Sequence, residues 1–183
     1  MNRNRAGEGG LVTTRWSTIT DDGGLAATHA AAWRHAYAGI IPGLPLARMI
    51  ARRGPVWWHR MHERGFRALV LDWDGTLAGY ATLGRSRTPA LGMRGEIYEL
   101  YVRPEYQGCG VGRRLFTEAR GQLRLRGLDR LLVWALAENQ IACRFYEAMG
   151  GAEVAQAQDR FCGRPLEKIG FAWTRRRPAP QHP

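Results

Sequence analysis

Lysine is almost missing from this 183-residue sequence: of 27 basic residues only Lys168 is lysine, and the rest are arginine. Cysteine is scarce too. Cys109, Cys143 and Cys162 are odd in number and form no C-x-x-C pair, which argues against a disulfide framework and a structural zinc site. His59 and His62, in "WWHRMHERG", sit three apart and can share a helix face. No third ligand accompanies them, so a partly exposed helix is expected and no metal. No apolar run approaches membrane-spanning length, the N-terminus lacks the apolar core of a signal peptide, and no internal repeat occurs. The expectation is a cytoplasmic protein with no membrane partner.

What is present suits one domain with a sizeable core. Residues 1–10, "MNRNRAGEGG", and 174–183, "TRRRPAPQHP", are polar, charged and rich in Gly or Pro, and read as disordered tails around a domain at 11–173. The formal charge of +11 is carried by arginine, five of them in the tails: Arg3, Arg5, Arg175, Arg176 and Arg177. So extreme an arginine bias points to a GC-rich coding sequence before it points to a partner. Basic tails bind phosphate without sequence preference, so low-salt association with nucleic acid is expected, but no specific complex. A small anionic ligand ranks above it.

The pattern of elements begins with a strand near Leu11–Ile19 and a helix from about Asp21. A second helical stretch, "PLARMIARRGPVWWHRMHERG", has a break at Pro55. Two strands flank the turn Asp74-Gly75, a strong hairpin signal. The strand "EIYELYV", Glu96–Val102, runs into Pro104, then the alternating glycines Gly108, Gly110 and Gly112, then a helix with Leu115, Phe116, Ala119 and Leu123 at helical spacing and Gly127 as its cap. The strand "LLVWAL", a short helix and a terminal antiparallel pair complete the chain.

Three phosphate-binding readings compete for the glycines. A P-loop needs Lys then Ser or Thr after its last glycine, whereas Arg113 and Arg114 follow Gly112. A dinucleotide turn needs a different glycine spacing and an acidic residue closing the next strand, and Asp129 precedes that strand instead. What remains is a turn whose backbone N–H groups converge on an anion at a helix N-terminus, to which a pyrophosphate is suited. A flexible loop between core elements is the bland alternative, disfavoured by the strand before and the amphipathic helix after.

"QGCGVG", Gln107–Gly112, resembles the Gln/Arg-x-x-Gly-x-Gly/Ala signature of the GNAT superfamily of N-acetyltransferases, and "NQIACRFYEAMGG", Asn139–Gly151, resembles that family's later segment in register. A looser likeness covers "AAWRHAYAGIIPG", Ala31–Gly43. The resemblance spans roughly residues 11–173. It implies an α/β fold with a mixed, mainly antiparallel sheet of about six to seven strands, helices on both faces, and acetyl-CoA as co-substrate. It also implies a pyrophosphate held by the amides of Gln107, Gly108, Cys109, Gly110, Val111, Gly112 and Arg113. Leu100, Tyr101 and Val102 would lie along the acetyl and pantetheine arm where the central strand splays from its neighbour, and Asn139 would hydrogen-bond that arm.

For the chemistry, strand parity puts Glu96, Tyr98, Leu100 and Val102 on one face and Ile97, Glu99 and Tyr101 on the other. By its count from the loop, Glu96 resembles the general base of the family's histone-acetylating branch. The alternative for Glu96 is a strand residue without chemistry, and Glu99 is read as a surface residue. Tyr146, seven residues after Asn139 and so on nearly the same helix face, resembles the family's general acid to the CoA sulfur; the alternative is a core aromatic. The implied activity is direct transfer of an acetyl group to a primary amine in a ternary complex. The acceptor is a small molecule, toward which Trp33, Tyr37, Trp57 and Trp58 lean the reading, or a protein amine. A non-catalytic acyl-CoA sensor of the same fold stays open, as does a homodimer.

Overall fold

A computed structural model describes residues 11–161 and 163–174. The tails expected at 1–10 and 174–183 lie outside the described residues, apart from Thr174. The main elements run in the order β1 (Val12–Trp16), α1 (Asp22–Tyr37), α2 (Gly43–Arg52), α3 (Pro55–Glu63), β2 (Leu69–Trp73), β3 (Thr76–Arg85), β4 (Gly95–Val102), α4 (Val111–Leu125), β5 (Leu131–Leu136), α5 (Gln140–Ala148), β6 (Ala152–Phe161) and β7 (Arg164–Trp173). The expected second helical stretch is two helices, because Pro55 has no N–H to continue α2 and serves as the first residue of α3 instead.

The strands form one seven-stranded sheet in the order β1-β2-β3-β4-β5-β7-β6. All pairs are antiparallel except β4–β5. The mixed, mainly antiparallel α/β architecture expected from the sequence is therefore observed. The turn between β2 and β3 places both Asp74 (φ 50°) and Gly75 (φ 79°) in the left-handed region that a tight hairpin requires.

Helices cover both faces. On one, α4 buries Leu115, Phe116, Ala119 and Leu123, the residues its periodicity marks, and packs with Cys143 and Tyr146 of α5 against Leu71, Ile97, Val133 and Phe171. Each such large apolar side chain contributes roughly 1.5–3 kcal/mol through burial. On the other face, Leu25 of α1 and Trp58 of α3 pack on Val70, Leu77 and Tyr80, while Trp33, Leu46 and Ile50 meet Leu136 and Leu166.

The helix α3 is partly exposed as expected, with His59 half exposed and His62 buried. His62 Nδ1 lies 2.5 Å from Asp22 Oδ1 and its Nε2 2.7 Å from Ser17 Oγ, while His59 Nδ1 lies 2.9 Å from Asp22 Oδ2. The shared helix face thus serves a carboxylate at the start of α1. Ser, His and Asp stand in the order of a hydrolase triad, yet Ser17 is 1 % exposed and its Oγ accepts the Ala68 N–H at 2.9 Å, so no substrate reaches it. The cluster ties β1, α1 and α3 together.

Two irregularities in β4 bear on the site. Ladder pairing with β5 covers only Gly95–Ile97 against Leu131–Val133, so the two strands diverge beyond Ile97. Against β3, Ile97 pairs with Leu83 and Glu99 with Thr82, leaving Tyr98 as the extra residue of a β-bulge.

Candidate active site

The divergence of β4 from β5 opens a cavity of about 540 Å³ whose walls come from both strands, α1, the glycine loop, α5 and the β6–β7 hairpin. Among the residues expected to bind a cofactor, Leu100, Tyr101, Val102, Gln107, Gly108, Gly110, Gly112, Arg113 and Asn139 all line it. Two do not. Val111 turns its side chain into the core, and the Cys109 side chain is exposed outside the lining, its Sγ 3.8 Å from the Gln107 carbonyl, so at these positions only the backbone can serve a ligand.

The glycine loop has the geometry of an anion cradle. Gly108 and Gly110 have φ of 79° and 82°, which an L side chain adopts only with strain, and a Cβ at either would meet no protein atom within 4 Å. Gly110 is the N-cap of α4 and supplies no side chain to cap it, so the first-turn amides of the helix are left for an external acceptor. Gly112 faces Phe145 so closely that a Cβ would sit 3.4 Å from the ring. Gln107 anchors the loop by donating from Nε2 to the Val102 carbonyl at 3.2 Å, at the end of β4.

Asn139 caps α5, its Oδ1 accepting the Ala142 N–H at 3.1 Å, and the residue also lines the cavity. Its amide N–H groups remain for a ligand. Tyr146 also lines the cavity, packed among Phe116, Phe145, Phe171 and Trp173 and 5 % exposed. Burial raises its phenol above the ordinary value, which keeps the proton on, and among the described residues its hydroxyl has no hydrogen-bond partner.

The two glutamates exchange places relative to expectation. The bulge at Tyr98 resets the alternation of β4, so Ile97, Leu100 and Val102 pack with α4 while Glu96, Glu99 and Tyr101 share the opposite face. Glu96 is 1 % exposed and does not line the cavity. Both its oxygens are engaged by Arg87: Nε and Nη2 donate to Oε1 at 3.0 and 2.6 Å, and the backbone N–H donates to Oε2 at 2.7 Å. A carboxylate so held has no route to an amine in the cavity, which corrects its expected place as base.

Glu99, read from the sequence as a surface residue, lines the cavity instead. It forms an ion pair with Arg53 of the α2 end and accepts a hydrogen bond from Thr82 Oγ1 at 3.3 Å. Beside it lie Tyr37 and Tyr101, their hydroxyls 2.8 Å apart, both phenols raised chiefly by burial. Behind them, His29 Nδ1 meets the Tyr80 hydroxyl at 2.8 Å, its buried Nε2 has no partner among the described residues, and burial lowers its ordinary value to about 3. Trp57 and Trp58, weighed as pocket walls, do not line the cavity, and Trp58 is core; Tyr37 does line it. Sequence reasoning missed Arg87, Tyr98, Trp134, Phe161, Asp159 and Lys168, which also line the cavity. No pattern in the chain marks them, since a bulge and a hairpin crossing bring them together. Among the described residues no cluster of metal-ligating side chains occurs, and no helix is long and apolar enough to cross a membrane.

Comparison with known proteins agrees with this geometry. The sequence model of the Acetyltransferase (GNAT) family matches residues 32–151, more than half of the chain. An uncharacterized N-acetyltransferase, YuaI of Bacillus subtilis, is 28% identical over 163 residues, covering 89% of this chain and 93% of that protein. The L-amino acid N-acyltransferase MnaT of Escherichia coli is 28% identical over 101 residues, 55% of this chain and 58% of its own length. Among solved structures, the PaiA N-acetyltransferase of Thermoplasma acidophilum in complex with coenzyme A superposes with a TM-score of 0.68 at 20% identity, over 86% of this chain and 98% of that one, and so shares the fold.

Proposed function

This chain belongs to the acetyltransferase (GNAT) family, and from that premise we propose that it moves an acetyl group from acetyl-CoA to a primary amine by direct attack, both substrates bound together. The observation that carries the reading is one cavity lined together by Gly108, Gly110, Gly112 and Arg113 at the uncapped start of α4 and by Glu99, Asn139 and Tyr146. The cradle suits a pyrophosphate, and Arg113 beside it adds a cation for the nucleotide end.

Each remaining residue has a task. The N–H groups of Asn139, freed because its oxygen caps α5, donate to the amide carbonyls of the pantetheine arm. The edge of β4 past Ile97 has lost its partner strand, so its backbone N–H groups can face an acyl oxygen and stabilise charge that builds on it. Glu99, directly or through water, takes the proton that the amine loses as its nitrogen bonds to the acetyl carbon. Tyr146 gives its proton to the sulfur as the carbon–sulfur bond breaks, and its raised phenol is protonated at all working pH values. No covalent acetyl-enzyme is required.

The test is release of free thiol from acetyl-CoA across a broad panel of amines, beside a calorimetric titration of CoA into the full chain. Turnover with at least one amine class is expected. Tight CoA binding without turnover on any amine would make the protein a sensor of acyl-CoA and refute the enzymatic reading.

A further inference from the structure

We propose that Arg87, held from behind by Glu96, is an acceptor-recognition residue that binds a carboxylate, so that the acetylated amine is a free amino acid. This deepens and rests on the acetyltransferase reading of the same cavity. It starts from a group that reading leaves without a task. A carboxylate 1 % exposed, Glu96, is fully occupied in fixing a guanidinium whose side chain is 64 % exposed and which lines the cavity. An arginine on a solvated loop is ordinarily mobile and weakly paired. Arg87 differs in three ways. Two guanidinium nitrogens and its own backbone N–H are bound to one buried carboxylate, its plane lies over the Tyr98 ring at 4.5 Å, and Tyr98 also lines the cavity. Among the described residues Nη1 has no acceptor. What results is a planar cation with fixed orientation whose outer edge, an Nη1 N–H beside the second N–H of Nη2, can meet a carboxylate through two parallel donors.

The other cations of the cavity are otherwise committed. Lys168 lies 3.2 Å from Asp159 and sits over Trp134, and Arg113 follows the phosphate cradle. The opposite charge needed for an ammonium is supplied by Glu99, the residue after Tyr98 on β4. Anion and amine subsites therefore fall on one stretch of wall, as an amine and a carboxylate on one small molecule require. A protein N-terminus has no carboxylate beside its amine, and a polyamine has none at all; both leave Arg87 unmatched. Glu96 acts through Arg87 and is a positioning residue.

The experiment compares each of a set of L-amino acids with its own carboxamide, using the full chain and acetyl-CoA and following thiol release. The amide has the less basic and hence more freely deprotonated amine at neutral pH, so intrinsic reactivity favours it, and preference for the acid must come from the protein. The expected preference in kcat/KM is about 10- to 100-fold, the range for hydrogen bonds to a charged group. Arg87→Gln should raise KM for the acid by a similar factor, erase the difference from the amide, and leave the KM of acetyl-CoA unchanged. Arg87→Lys should recover part of the preference, and Glu96→Gln should raise KM for the acid alone while sparing turnover at saturation. Amines acetylated equally well as acids and amides would overturn this proposal and leave the acetyltransferase reading standing. Were no amine acetylated, calorimetry of amino acid against amide on the CoA-loaded protein still decides it, with equal or no binding of both counting against Arg87.

Discussion

Lowering the pH toward 5 should destabilise this fold through one residue, His29. Its imidazole is 0 % exposed, packed against Trp33 at 4.7 Å and hydrogen-bonded to Tyr80, with Arg53 adding repulsion to the cost of burying a charge. Its folded-state value of about 3 lies below the unfolded 6.5. The unfolded chain therefore binds the proton first, and stability present above pH 6.5 is lost progressively as pH falls toward 3. At pH 5 the unfolded imidazole is almost wholly protonated and the folded one almost wholly neutral. The linked loss relative to pH 8 is about 2 kcal/mol, and stays near that figure if the folded value is a unit higher. Asp21 adds nothing in this window, because the hydrogen bonds from Arg15 hold its carboxyl below the ordinary carboxylate range and its contribution disappears only at lower pH.

Urea unfolding at half-unit steps from pH 8 to pH 5 measures the effect, and His29→Gln isolates it from the other histidines. The variant lacks the titrating ring but can still reach Tyr80. Its absolute stability will be lower. What matters is the difference in slope, with the wild type losing about 2 kcal/mol more across the window than the variant. Parallel stability–pH curves for the two proteins would refute the reasoning, since they would show His29 titrating alike folded and unfolded.

Three further outcomes are expected at the site. Gly110→Ala should lower stability by about 1–2 kcal/mol from its left-handed backbone and weaken acetyl-CoA binding, whereas Gly65→Ala, with the same φ of 82° outside the cavity, should show the strain alone; equal CoA affinity in the two variants would remove the cradle. Glu99→Gln should cut turnover most at neutral pH, by about 100-fold or more, and recover under alkali where more amine is already deprotonated; a deficit independent of pH would make Glu99 a structural partner of Arg53. Tyr146→Phe keeps the ring packing and loses only the hydroxyl, so its turnover should fall by about 100-fold without alkaline rescue and with acetyl-CoA affinity unchanged; a wild-type rate with chemistry limiting would return Tyr146 to packing.

How far the sequence could be read depended on which atoms do the recognising. The turn at Gln107–Arg113 was legible because backbone placed in the left-handed region at Gly108 and Gly110 leaves glycine as its trace. Asn139 was legible for a similar reason, since a helix start selects a capping side chain. The periodicity of α4 and the Asp74-Gly75 hairpin were equally plain. Glu96 was chosen over Glu99 by its count from the loop, and strict parity set the two on opposite faces, whereas the extra residue at Tyr98 puts both on one face. "EIYELYV" contains no glycine or proline to announce a bulge; the register with β3 alone reveals it.

That bulge also ties the two halves of the site together. A strand that continued in register along β5 would keep its N–H and C=O groups in the ladder and leave no room for an acyl arm. Because β4 parts from β5 after Ile97, the edge facing β5 opens on the cavity, and Glu99 and Tyr101 line the same cavity from the face turned toward α1 and α2. The added residue at Tyr98 lets the same short strand send Leu100 and Val102 into the core beside α4 and still present Glu99 and Tyr101 to the other face. Were the same seven residues laid out in strict alternation, Glu99 would follow Ile97 toward α4, burying a carboxylate among Leu115, Phe116 and Val111 with no cation near it. Such an unpaired charge costs several kcal/mol. Arg53, at the end of α2, compensates the carboxylate only in the bulged arrangement. Deleting Tyr98 separates the phase of the strand from the side chain that sets it. The deletion makes Glu99 the direct neighbour of Ile97, so alternation alone keeps it on the face of Arg53, and unfolding should stay cooperative with acetyl transfer retained. Arg87 loses the ring beneath it, and the preference for acid over amide should fall. Loss of the cooperative transition in that variant would show that Tyr98 holds β4 by its own contacts, and the account of the bulge as a phase correction would be wrong.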